Sequence, residues 1–224
     1  MSITGCGRGI IFGHLVTAII RGTKTQTRRP IRPEPLHADP PGSYQHCHHY
    51  FTGVPERGWA YYWMRGGTWN STQPFFPRYK VGSCPWVREA WQLYHLHSDG
   101  DGGWDPYLWR EAVPPDRPRQ RHMIDYKADN SMDGPWRTPL HMPRWASRVQ
   151  LEITDVRPEI VQRISEADAV AEGVESVEQF QKEWESLHGS MSWSVPTWVW
   201  VYTFRVVSNT GRPEIEAATA AGRG

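Results

Sequence analysis

A chain of 224 residues is long enough for one domain with a substantial core, or for one domain carrying insertions. Its formal net charge of +1 excludes a strongly basic nucleic-acid coat, and the absence of any run of about 18 apolar residues predicts no transmembrane helix. Three cysteines, Cys6, Cys47 and Cys84, form no CxxC pair, which argues against a disulfide framework and against a cysteine-rich zinc site. Ile10 to Ile20 is too interrupted for a secretory leader, so a cytoplasmic protein without a membrane partner is expected. The charge is unevenly placed. Residues 1–35 carry six Lys/Arg against one acid, and residues 158–185 carry eight Asp/Glu against two Lys/Arg, the pattern of one basic face and one acidic helix.

The first elements are a short apolar run, Ile10-Ile11-Phe12, and a short helix from His14 to Arg21 closed by Gly22. Residues 30–78 read as an insertion without helical or strand periodicity, apart from a hairpin of Tyr61-Tyr62-Trp63, Gly66-Gly67 and Thr68-Trp69. The cluster His46-Cys47-His48-His49, with the alternating His95 and His97, contains zinc-type ligands. Its spacing is too dense for one tetrahedral site, and incidental histidines are the simpler reading; no metal or other cofactor is expected. From Trp86 to Trp91 the residues alternate as a single strand, with Glu89 either an ion-pair partner for an arginine or a carboxylate lining a pocket.

Residues 95–121, rich in Gly and Pro, read as a loop or lid, and Met123 to Ala128 as a short strand. Tyr126 in that strand is placed to face a ligand or to pack. Val149, Leu151 and Ile153 alternate with Gln150, Glu152 and Thr154, a half-buried strand. Arg144 and Trp145 just before it suit contacts to phosphate and base, or equally an ion pair and a packed indole. Ser165 is a good N-cap for a helix that Gly173 ends. A second helix, Ser176 to Leu187, sets Val177, Phe180, Trp184 and Leu187 on one face. Trp198 to Val207 is the strongest strand, and residues 208–224 are expected to be a disordered tail. The thirteen tryptophans suit core packing or base stacking.

One stretch concentrates chemistry. Gly22-Thr23-Lys24-Thr25-Gln26-Thr27-Arg28-Arg29 holds three cations and three hydroxyls in eight residues, on what reads as a tight connection. Lys24 and Thr27 are three apart, on one face if the segment is a helical turn and on opposite faces if it is extended. A lysine beside a hydroxyl can act as general base and make it a nucleophile, if burial or neighbouring cations favour the neutral amine. Arg28 and Arg29 supply such cations, and also suit binding of a phosphate or an oxyanion. The plainer alternative is a solvated basic loop. Glu172 stands at the C-terminal end of its helix, where the dipole disfavours negative charge; that suits a proton donor, and a solvated glutamate is the alternative.

This stretch resembles the opening motif of the ASCH family, relatives of the PUA domain. Tyr79-Lys80-Val81-Gly82 running into Trp86 to Trp91, His141 to Arg148, and Ile164 to Ala169 running to Glu172-Gly173-Val174 resemble, in the same order, blocks of its longer, phage-associated members. The resemblance implies an α+β protein on a small mixed PUA-like β-barrel with flanking helices. It would form a single domain over 1–207, with insertions at about 36–78 and 94–122. It also implies hydrolysis of an N4-acetylcytidine-type amide, with Lys24 as base, Thr27 as nucleophile and Glu172 as proton donor. Arg28, Arg29, Glu89, Tyr126, Arg144 and Trp145 would then contact a nucleoside or modified nucleobase. The insertions leave open a module that binds RNA or modified DNA without catalysis, and a ribonuclease.

Overall fold

The computed structural model describes residues 8–31, 47–51, 59–65, 68–69, 76–95, 122–129 and 136–209. Among them it is an α+β protein of ten strands and three α-helices. The chain divides into two compact units, one from Met1–Arg21, Cys84–Leu151 and Val206–Gly224, the other from Gly22–Ser83 and Glu152–Arg205. Among the described residues no sheet closes on itself.

In the first unit β1 (Gly9–Ile11) runs parallel to β6 (Trp86–Arg88), and β6 meets the start of β9 (Val149–Ile160) through Trp86 and Gln150. The approach of β1 to β6 is close: a Cβ on Gly9 would lie 2.5 Å from Nε of Arg88, so this position admits only glycine unless Arg88 moves. Arg88 in turn lies over the Trp86 ring at 4.6 Å. Helix α1 (Val16–Ile20) buries Val16 and Ile19 and gives way after Arg21 to Gly22 at φ +77°. That is the left-handed conformation a helix-ending glycine supplies at low cost.

The single strand expected from Trp86 to Trp91 is two. The chain leaves the sheet at Glu89 and Ala90, and β7 (Trp91–His95) pairs instead with β8 (His122–Tyr126) as a separate antiparallel ribbon. The cause is local satisfaction of the backbone. Ala90 accepts from the Lys127 N–H at 2.9 Å, and Trp91 exchanges two hydrogen bonds with Arg137 at 3.3 and 2.9 Å. Trp86, Trp91, Ile124, Tyr126, Met142 and Ala146 form the core there.

In the second unit β2 (Gln26–Pro30) pairs antiparallel with β10 (Trp198–Asn209), setting Thr27 opposite Tyr202 and Arg29 opposite Trp200. The second half of the polar stretch is therefore strand, not connection. The order there is β9-β10-β2, so Pro30 lies on an edge strand, where its missing N–H is tolerated. Strands β3 (Cys47–Phe51), β4 (Trp59–Arg65) and β5 (Thr68–Trp69) form a three-stranded antiparallel sheet, and β4 with β5 is the expected hairpin. His46, His97, Pro33, residues 96–121 and the tail from 210 lie outside the described residues, as do the side chains of Cys47, His48, His49 and His95. Ser208 and Asn209, expected in the tail, belong to β10.

Helix α2 (Glu166–Ala171) begins where the Ser165 hydroxyl accepts from the Asp168 N–H at 3.1 Å, and Gly173 at φ +88° closes it. Helix α3 (Val177–His188) is capped by Ser176 in the same way and lays Phe180 and Trp184 on Val161, Ile164, Ala169, Val174, Val199 and Val201. Leu187, expected on that face, is 78% exposed. His188, four residues beyond Trp184, lies against the indole at 4.1 Å and is itself exposed, so the buried stripe ends at Trp184. Among the described residues no helix is long and apolar enough to cross a membrane.

The asymmetry along α3 predicts that Trp184→Ala lowers unfolding free energy by about 3–5 kcal/mol. Leu187→Ala should change it by under about 0.5 kcal/mol. Urea denaturation of the two variants measures both.

Candidate functional site

Lys24 lies between Gly22 and β2, and its backbone is pinned from both sides. The next residue, Thr25, donates its N–H to the Ala171 carbonyl at 2.8 Å and accepts from the Phe204 N–H at 2.8 Å. The end of α2 and strand β10 thus fix the chain beside Lys24. Its Nζ donates to Glu172 Oε2 at 2.7 Å and to the Glu172 carbonyl at 2.5 Å. Both residues are buried, at 3% and 4% exposure. Burial pushes the Lys24 amine below its ordinary value of 10.5, against the pull of Glu172, and the nearby Arg29 charge pushes the same way as burial. Burial thus makes the neutral amine easier to reach here than at an exposed lysine.

The other carboxylate oxygen of Glu172 is held by Arg28, whose Nη1 donates to Oε1 at 3.2 Å. Arg28 is the centre of a larger cluster. Its Nη2 donates to Glu159 Oε1 at 3.2 Å and lies 3.4 Å from Asp168 Oδ2, while Nη1 also reaches Gln26 Oε1 at 3.3 Å. Arg157 contacts Glu159 at 3.6 Å and Asp168 at 3.5 Å. Burial acts to raise the Asp168 carboxyl, but the Ser165 hydroxyl and the Arg28 charge outweigh it and hold the group below its usual range.

Strand alternation turns Thr27 and Arg29 to the face of β2 opposite Arg28. Thr27 is buried, and Tyr202 is its partner across the strand pair. The Tyr202 hydroxyl accepts from the Arg78 N–H at 3.1 Å, and the ring meets Tyr79 edge-on at 5.6 Å. Burial pushes the Tyr202 phenol up to about 12, so it stays a neutral hydroxyl at ordinary pH. Burial also lowers Arg29 from its usual value, opposed by Glu172 and the two tyrosines.

The second unit thus brings Lys24, Arg28 and Glu172 into direct contact, with Thr27 and Arg29 on the same strand as Arg28. The other four candidates, Glu89, Tyr126, Arg144 and Trp145, belong to the first unit. Glu89 is the ion-pair partner of an arginine: Arg148 donates from Nε to Oε1 at 2.9 Å and from Nη2 to Oε2 at 2.8 Å. Burial raises the Glu89 carboxyl and the guanidinium opposes that rise. Tyr126 donates its hydroxyl to the Ala146 carbonyl at 2.7 Å, beneath the Arg148 guanidinium at 4.1 Å, and Arg148 also pairs with Asp129. Trp145 packs edge-on against Trp91 at 5.9 Å, and Arg144 is exposed beside it at the start of a 3-10 turn. Glu159, Tyr202 and Arg148 were not singled out from the sequence. A buried strand cation without a local acid was the available signal for Glu159, because Arg28 has no carboxylate among its neighbours along the chain. Among the described residues no group of three or more His, Cys, Asp or Glu is placed to hold a metal ion. No family model, curated protein or solved structure matches this chain.

Two measurements follow from these geometries. Glu89→Gln leaves a buried guanidinium short of its bidentate partner and should cost about 3–5 kcal/mol in unfolding free energy. For Lys24 the folded value is depressed, so between that value and 10.5 the unfolded chain holds a proton that the folded chain releases. Stability contributed by this residue should rise with pH across that alkaline window. The wild type should gain stability relative to Lys24→Met as pH increases towards 10.5, read as the difference between their melting temperatures.

Proposed function

We propose that this chain is an amidohydrolase that removes an acyl group from an N4-acylated cytidine-type nucleoside or base, on a PUA-like fold of the ASCH type. The observation that carries the reading is the buried 2.7 Å contact between the Lys24 amine and the Glu172 carboxylate. In this reading the contact joins the base to the proton donor, and burial of the amine eases loss of its proton. The PUA-like barrel belongs to the same proposal and would need strands beyond those described to close.

The reaction runs in two halves. Lys24 takes the proton of the Thr27 hydroxyl as Oγ attacks the acyl carbon. The negative oxygen that forms is stabilised by Arg29 or by backbone N–H groups near Gly22. Lys24 passes its proton across the short contact to Glu172. Glu172 gives it to the exocyclic amine as the C–N bond breaks, leaving the acyl group on Thr27 as an ester. Water then attacks the ester carbon while Lys24 accepts its proton. The C–O bond to Thr27 breaks, and Lys24 returns the proton to the threonine oxygen. The acid is released and the starting protonation states are restored. The buried phenol of Tyr202, packed edge-on with Tyr79, lies on the face of β2 that carries Thr27.

The test is incubation of purified protein with N4-acetylcytidine, with cytidine followed by chromatography. The wild type should release cytidine, and Lys24→Ala, Thr27→Ala and Glu172→Gln should each lose at least about 100-fold in rate. Equal rates in the Lys24 variant would sink the assignment. So would absence of cytidine combined with RNA or DNA binding that weakens steeply with salt, the mark of a polymer-binding module.

A further inference from the structure

We propose that Arg28 is a positioning residue for Glu172: it fixes one carboxylate oxygen so that the amine of Lys24 meets only the other. The inference rests on the amidohydrolase reading and extends it, because the polar motif by itself suggests a ligand for substrate anions at this position.

Three observations carry it. First, the Arg28 side chain has no exposed surface, so a substrate phosphate cannot reach it. Second, its charge is already matched. Three cations, Lys24, Arg28 and Arg157, are linked to four carboxylates, Asp155, Glu159, Asp168 and Glu172. Among the described residues these ion pairs leave the Arg28 charge matched by carboxylates. Third, the guanidinium is held from four elements. Gln26 on β2, Glu159 on β9 and Asp168 on α2 contact its edge, and Phe180 on α3 lies 5.9 Å from it. Asp168 is itself tied to the Ser165 cap, and Arg157 braces both Asp168 and Glu159. A guanidinium anchored in this way does not follow Glu172; Glu172 is held to it.

The consequence concerns the proton on Lys24. The groups whose charge acts on that amine are Glu172 at the end of α2, Arg29 on β2 and Glu183 on α3. If Glu172 Oε1 were released, both oxygens could close on one ammonium, which favours keeping the proton there. With Oε1 on Arg28, the amine meets a single carboxylate oxygen, beside the Glu172 carbonyl, and can exchange its proton with that carboxylate. The remaining charges around the guanidinium, Glu159, Asp168 and Arg157, serve to fix it.

The experiment compares wild type, Arg28→Gln and Arg28→Lys by two readouts. The first is kcat and KM for N4-acetylcytidine across pH. The second is an NMR titration of isotope-labelled lysine side chains; the chain has four lysines, and the Lys24 signal is identified by its loss in Lys24→Arg. Arg28→Gln should lower kcat by about 100-fold with KM unchanged. The rising limb of its pH profile and its Lys24 titration should both move to higher pH. Arg28→Lys keeps the charge but cannot span Glu172 and Glu159 together, so kcat should fall about tenfold and the Lys24 signal should move in the same direction. A rise in KM at constant kcat would make Arg28 a substrate ligand and overturn the proposal. A Lys24 titration unmoved in folded Arg28→Gln, or in Arg28→Lys where the glutamine variant does not fold, overturns it as well. Should the wild type release no cytidine, the reading of function fails, and the NMR comparison still decides whether Arg28 governs the Lys24–Glu172 pair.

Discussion

The second unit depends on a carboxylate that two cations share out of reach of solvent. Taking Glu172, Lys24 and Arg28 out of water costs several kcal/mol per ion, and their mutual attraction recovers that only with good geometry and full hydrogen bonding. The surrounding structure reads as the supply of that geometry. Thr25 is pinned to the end of α2 and to β10, Gly173 stops the helix directly after Glu172, and Phe180 on α3 backs the guanidinium. A cluster of this kind adds little net stability. What it secures is one arrangement of the side chains, which is the requirement for chemistry rather than for folding.

The first unit holds a useful contrast. Arg148 grips Glu89 with two parallel hydrogen bonds, and both oxygens go to the same guanidinium. Arginine does not give up its proton, so that pair can only hold the fold together. Around Glu172 the two oxygens go to different partners, one an arginine that stays charged and one a lysine whose burial favours losing its proton. The chemistry of acid and base is available at the second pair and absent at the first, although both look alike as buried ion pairs. The difference lies in the identity of one cation.

The aromatic residues follow the same division. Trp86, Trp91 and Trp145 pack among themselves and beneath arginines in the first unit. Trp184 packs in the core of the second. Tyr79 and Tyr202 meet edge to face on the strand face that carries Thr27. Trp86, Trp91, Trp145 and Trp184 thus serve the cores, and Tyr202 is the ring paired across the strands with the candidate nucleophile.

Local signals were legible in the sequence because their physics is local. Gly22 and Gly173 end helices by taking a positive φ that other residues resist, Ser165 and Ser176 cap helices three residues away, and the alternation of Val149, Leu151 and Ile153 marks a buried strand face. The hairpin of β4 and β5 belongs with these. Lys24, Thr27 and Glu172 were joined as one site only through the family resemblance, since no periodicity relates residues so far apart. The tertiary structure alone decided the rest. Lys24 meets Glu172 across 148 positions, and Arg28 meets Glu159 across 131. The break of the expected strand at Glu89 and Ala90 comes from hydrogen bonds to Lys127 and Arg137. In each case the deciding partner is a neighbour only after folding. Hydrophobic period and capping chemistry set the elements, and folding sets which distant buried charges meet.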